Sequence, residues 1–169
     1  MKHFITLVAV VLASVWAIAP AMAGQAKASD DKVFGDWILH CAKTSAGEEA
    51  CALHQKIISK QTKLPVAAFA IARSKDSQEL RLAAILPLGL DIPAGVSGKA
   101  GDLLLAFQVQ TCVRRGCIAS TQVHGRLLET LHGAREFTAT FKMRSVADPT
   151  TLAVSLNGLD EALKALESK

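Results

Sequence analysis

The sequence predicts a mainly β domain: an antiparallel β-sandwich or partly open barrel of about eight strands, with two short helices, one of them C-terminal. Three observations carry that expectation. Apolar residues alternate with polar ones in several short runs, most clearly Phe137, Ala139, Phe141 and Met143 against Thr138, Thr140 and Lys142. Turn-forming residues separate those runs at short intervals. Only two stretches, Arg126 to His132 and the tail after Asn157, repeat leucines at helical spacing.

Met1-Lys2-His3 is a short basic start, Phe4 to Ile18 is apolar, and Ala19-Pro20-Ala21-Met22-Ala23 ends in small residues. That pattern predicts a secretory signal peptide over residues 1–23, removed before Gly24. Residues 24–33 read as a polar, flexible lead-in, and residues 34–169 as a single domain. No later segment offers the about 20 apolar residues of a spanning helix, so no transmembrane segment is expected once the signal is cleaved. The expected location is therefore periplasmic or secreted, with peripheral attachment to the outer membrane as a further expectation.

From Phe34 onward, Trp37, Leu39 and Cys41 share one strand face. Cys51, Leu53, Gln55 and Ile57 read as its return, and Val66 to Ala72, apolar on both faces, as a central strand. Leu80 to Ile85 pairs back after a charged turn. In Leu86 to Val96 two prolines forbid a helix and confine pairing to an edge. Leu103 to Val109 and Cys117 to Val123 make a hairpin with a conflict, because a turn pairing Cys112 with Cys117 sets Val109 opposite Ser120. A bulge near Gly116, or a different face assignment, would resolve it. Arg126 to His132 predicts a short helix capped by Gly133, Glu136 to Met143 a strand, Leu152 to Leu156 a last strand, and Asn157 the cap of the final helix.

Four cysteines in an exported chain favour two disulfides, and four allow three pairings. Cys41 and Cys51, and Cys112 and Cys117, each flank a short turn-like segment, which favours local bridges. The competing reading is a zinc site from His40, Cys41, Cys51 and His54. Adjacent strand residues face opposite ways, and oxidation removes the thiolates, so no metal and no cofactor are expected. Cys-x4-Cys also differs from the Cys-x-x-Cys of redox sites.

The net charge of +4 is spread without a basic run or aromatic ladder, which argues against nucleic acid as a partner. Neither Gly-x-Ser-x-Gly, His-Glu-x-x-His nor a phosphate loop occurs, so no catalytic residue is assigned. Arg114 and Arg115, at a hairpin tip, would offer two guanidiniums to carboxylate or phosphate groups, or would simply solvate an exposed turn. A pair among His40, His54, His124 and His132 converging with an acid in a pocket of the fold would instead indicate an enzyme.

Phe34-Gly35-Asp36-Trp37 with Cys41, Cys51, Leu86-Pro87-Leu88-Gly89 through Pro93-Ala94-Gly95-Val96, Cys112 with Gly116-Cys117, and Ser155-Leu156-Asn157-Gly158-Leu159 together resemble the invasion-associated locus B (IalB) family of exported bacterial proteins. The resemblance implies an envelope-associated β domain and, more loosely, a part in entry into host red cells. It brings no catalytic residues. The expected function is a non-catalytic module that binds an envelope or host partner, whether protein, lipid or glycan. The alternatives are an enzyme with an unrecognised site, hydrolase-like or otherwise, and a self-associating structural protein of the envelope. Ser97-Gly98-Lys99-Ala100-Gly101 is more glycine-rich than the family's alternating segment.

Overall fold

The structure is a computed structural model that describes residues 31–74, 77 and 79–169. The expected signal peptide and residues 24–30 of the lead-in lie outside the described residues. Ten strands form one antiparallel sheet: β1 (Lys32–Phe34), β2 (Trp37–Lys43), β3 (Glu49–Ile58), β4 (Pro65–Arg73), β5 (Leu80–Leu86), β6 (Val96–Ala100), β7 (Leu103–Val113), β8 (Gly116–Val123), β9 (Glu136–Phe141) and β10 (Thr150–Ser155). Helix α1 (Arg126–Gly133) lies between β8 and β9, and α2 (Leu159–Glu167) follows β10. The strand order is β1-β2-β3-β4-β5-β8-β7-β6-β9-β10. No ladder joins β1 to β10, so the sheet is not closed.

The alternation read from the sequence is what curls this sheet around a core. Trp37, Leu39, Leu53, Phe69, Ile71 and Leu82 turn inward and are buried, while their neighbours along each strand face out. Phe69 of β4 and Phe137 of β9, from opposite halves of the sheet, meet edge to face with centroids 5.4 Å apart. Helix α2 lays Leu159, Ala162, Leu163 and Leu166 inward as it packs on β1, β2 and β3. His132 in the last turn of α1 bonds through Nδ1 to Asp160 Oδ1 in the first turn of α2 at 2.6 Å, tying the two helices together.

At one end the two sheet edges are bridged by side chains and loop backbone in place of a ladder. Trp37 Nε1 and Gln55 Nε2 each donate to the Ser155 carbonyl at 3.0 Å. Ser155 Oγ donates to Asp36 Oδ2 at 2.6 Å, and the Asp36 amide donates to the Asn157 carbonyl at 3.1 Å. Gly158, with φ of +81°, makes this contact sterically open, since a Cβ there would lie 2.3 Å from the Phe34 carbonyl oxygen. The start and the end of the described domain are thereby locked to each other.

Several expectations are corrected. There are ten strands rather than about eight, the additional two being β1 and β6. Lys32 and Val33, placed in the lead-in, pair with Leu39 and Ile38, and three residues are too few to show a period. In β6 the inward positions are Val96, Gly98 and Ala100. Gly98 leaves no room for more, since a Cβ would meet the Thr138 carbonyl oxygen at 2.6 Å, so glycine here marks close packing rather than a loop. The register conflict of the β7–β8 hairpin is settled by a bulge in β7 around Gln110, not near Gly116, and Val109 pairs with Ala119.

Strand β7 runs on to Val113, whereas β9 stops at Phe141, and the half-buried Met143 forms an isolated bridge with Leu90. Pro93 does not exclude helical backbone, for Ile92–Ala94 is a single 3-10 turn with proline in its opening positions, where a missing N–H costs nothing. The Leu86–Val96 segment divides, with Leu86, Leu90 and Val96 in the core and Leu88 and Ile92 exposed. Gly133 is the last helical residue and extended Ala134 the cap. At α2 the N-cap is Gly158, not Asn157, with no side-chain cap. Asn157 is occupied otherwise, its amide bonded to Ser155 Oγ and its carbonyl to Asp36.

Candidate functional site

The β7–β8 hairpin is built to hold a short basic tip. Val113 pairs with Gly116 and Cys112 with Cys117, leaving Arg114 and Arg115 as the turn. The Cys112–Cys117 bridge closes the ladder one step below, with Cα atoms 3.9 Å apart. Gly116 adopts a φ of +140° and presses against the β5 end, where a Cβ would lie 2.4 Å from the Leu86 carbonyl oxygen. The tip is therefore seated on the sheet rather than swinging free. Both arginines are exposed, and neither has an ion-pair or hydrogen-bond partner among the described residues.

The β2–β3 hairpin carries the second bridge. Cys41 and Cys51 are directly paired, and their sulfurs are joined with Cα atoms 4.0 Å apart. Residues opposed across antiparallel strands sit about 4.5–5.5 Å apart, and both bridges draw their strands closer than that and closer than the about 4.4–6.8 Å usual for a disulfide. Glu49 lies beside this sulfur pair, but both sulfurs are spent in the bridge, so no thiolate remains to hold a cation there.

The zinc quartet considered above is split by the pleat. Its cysteines form the bridge, while His40 and His54 lie diagonally on adjacent strands with ring centroids 6.3 Å apart. His40 Nδ1 bonds to Asp31 Oδ1 at 2.6 Å. Two histidines and an acid are thus neighbours, on a partly exposed sheet face, and among the described residues no hydroxyl or thiol hydrogen-bonds to either ring. His124 lies far along the sheet, at the end of β8, and His132 is engaged with Asp160. The four histidines do not converge.

Burial, then the neighbouring His40 and Lys56, push the His54 imidazole below its ordinary value of 6.5, with Asp31 acting in the opposite sense. The unfolded chain then binds this proton more readily than the folded one, so stability falls as pH drops below the unfolded value. Acidification from about pH 7 to about pH 5 is expected to lower Tm less in His54→Gln than in the parent. Thermal unfolding across that range checks it, and parallel curves would contradict it.

Several hollows mark the surface of the described residues. One of about 520 Å³ lies between Glu48–Cys51, Arg73 and the α2 end, where Lys169 reaches Glu49 at 3.9 Å. One of about 540 Å³ is mostly apolar and lies between Ile57 and Ile58 of β3 and Thr150–Ala153 of β10. A third, of about 280 Å³, is polar and lies on the outer face of β5, β8 and β7 around Arg81. Arg81 and Gln55 carry no motif that marks them in the sequence. The signal for Gln55 was there, as a polar residue in the inward series Cys51, Leu53, Gln55, Ile57.

The profile of the family described as "Invasion associated locus B (IalB) protein" matches residues 37–167. The chain belongs to the IalB family. In three dimensions it is similar to the crystal structure of invasion associated protein B from Bartonella henselae, with a TM-score of 0.71 and 20% sequence identity, over 82% of this chain and 95% of that one. No curated protein sequence matches the chain. The segments through which the sequence resembles IalB proteins now have physical roles: Phe34–Trp37 and Ser155–Leu159, far apart in sequence, meet in the edge-bridging contact, and the cysteines form the two hairpin bridges. Among the described residues, no helix of this IalB domain is long and apolar enough to cross a membrane. Two disulfides are consistent with an extracellular or periplasmic protein.

Proposed function

We propose that this IalB protein is an exported, non-catalytic binding module of the bacterial envelope, periplasmic or secreted and peripherally attached to the outer membrane, that engages an acidic partner through Arg114 and Arg115. The observation that carries the reading is the pair of unpartnered guanidiniums on a tip held by the Cys112–Cys117 bridge. Because the turn backbone is already fixed, meeting a carboxylate or phosphate costs chiefly the rotamer freedom of the two exposed side chains, and the planar fork returns paired hydrogen bonds for it. The partner lies in the envelope or on a host cell, and a part in host-cell entry is the context suggested by the family's name.

The test is cosedimentation of the protein with isolated outer membranes and with host-cell membranes, comparing the parent with Arg114→Ala/Arg115→Ala. A charge-assisted hydrogen bond is worth about 1.5–3 kcal/mol, so the double variant is expected to bind at least roughly tenfold more weakly. Its Tm should not change, because both side chains are exposed. Unchanged retention on both membranes would overturn the tip as the binding element.

A further inference from the structure

The polar hollow beside Arg81 owes its shape to the cross-strand register. On the outer face of the sheet Ala83 lies opposite Ser120, Ser120 opposite Gln108, and Arg81 opposite Gln122. Small side chains at Ser120 and Ala106 leave a depression, and Arg81, Gln108, Thr121, Gln122 and His124 line it around them. The volume is about 280 Å³, room for one small molecule rather than an extended chain.

The floor and the charge are the informative parts. Ser120 is only 4% exposed, a buried hydroxyl on a face that otherwise looks outward. Arg81 is half-buried, and its Nη1 donates to Ser120 Oγ at 3.2 Å. Among the described residues this hydroxyl is its only partner, and no carboxylate lies within ion-pair distance. A guanidinium carries five N–H donors in a planar fork. Partly stripped of water and given one neutral acceptor, it is left with donors that a carboxylate would satisfy in pairs. Glu79, two residues before Arg81, has its Oε2 held by Ser77 Oγ at 3.2 Å and by Gln122 Nε2 at 2.8 Å. Bonded to Gln122 of the lining, it sets a negative charge beside the hollow, which disfavours a dianion more than a singly charged ligand.

The rest of the lining fits hydroxyl groups. The Gln108 side-chain amide, the remaining amide groups of Gln122 and the Ser120 hydroxyl can donate and accept, and the lining offers no aliphatic wall for a fatty chain among the described residues.

We propose that this hollow is a binding site for a small hydroxylated monocarboxylate, a sugar acid of the uronic type, with Arg81 receiving the carboxylate and Gln108, Ser120 and Gln122 receiving hydroxyls. The site stands independently of the hairpin tip, which lies at the opposite end of β8. Its acid is either free or at the end of a glycan, and the chemistry recognised is the same.

NMR titration of the whole protein with galacturonate, galactose and acetate tests it. Galacturonate is expected to give saturable shifts at the Arg81 side-chain N–H and the Gln108 and Gln122 side-chain amides. Galactose should give none, and acetate should bind more weakly. Arg81→Gln should abolish the response while the Trp37 indole N–H resonance keeps its folded position. Arg81→Lys, which keeps the charge but loses the fork, should weaken binding roughly tenfold. A galactose response equal to that of galacturonate, acetate binding as tight as galacturonate, or an undiminished response in either Arg81 variant would each overturn the proposal. So would the absence of saturable shifts with galacturonate.

Discussion

Replacing Trp37 by alanine is expected to cost about 3–5 kcal/mol of folding stability. The indole is fully buried, and its Nε1 donates to the Ser155 carbonyl, so the substitution both opens a cavity and cuts one of the bonds that join the two sheet edges. Trp37→Phe should cost less, because most of the ring volume stays while the donor goes, and Gln55 still reaches the same carbonyl. Urea unfolding followed by circular dichroism reads both. A loss below about 1 kcal/mol for the alanine variant would mean that the edge contact does not hold the domain together.

Removing the Cys41–Cys51 bridge as Cys41→Ala/Cys51→Ala is expected to cost about 3 kcal/mol, and removing Cys112–Cys117 about 2 kcal/mol, on the loop-closure model. The order follows from the sequence separations of 10 and 5, since the longer loop gains more freedom when unlinked. Either loss is a sizeable share of a domain's usual margin of about 5–15 kcal/mol. The second pair has an added consequence. Without its bridge the Arg114-Arg115 turn loses its clamp, so membrane retention should fall along with stability, whereas the first pair should affect stability alone. Equal loss of retention in both double variants would separate binding from the tip.

What could be read from the chain, and what could not, follows from the length of the pattern each element displays. The runs Leu53–Ile57, Leu80–Ile85 and Phe137–Phe141 are long enough for alternation to declare them, and they are strands. Strand β1 is too short for any period, and β6 presents Gly98 where packing by Thr138 and Phe107 forbids a side chain, so its composition imitates a turn. The α2 cap falls on Gly158 while the backbone of Asn157 is bonded to Asp36, a tertiary contact that no local rule contains.

The same distinction holds at the candidate sites. Arg114 and Arg115 announce themselves between two nearby cysteines, a local signal. Arg81 does not, for its niche depends on Ser120 and Gln108 from two other strands brought beside it by the crossover that places β8 against β5. The gathering of His40 and His54 was legible from their shared parity on paired strands, whereas the approach of Asp31 required the β1–β2 register.

Mass mapping of the protein recovered from its own cells, alkylated before any reduction, bears most directly on the claim that two local bridges clamp a β domain matured in an oxidising compartment. The prediction is a chain beginning near Gly24 with peptides linked Cys41 to Cys51 and Cys112 to Cys117 and no alkylated thiol. A chain that retains residues 1–23 and carries four alkylated cysteines would contradict it.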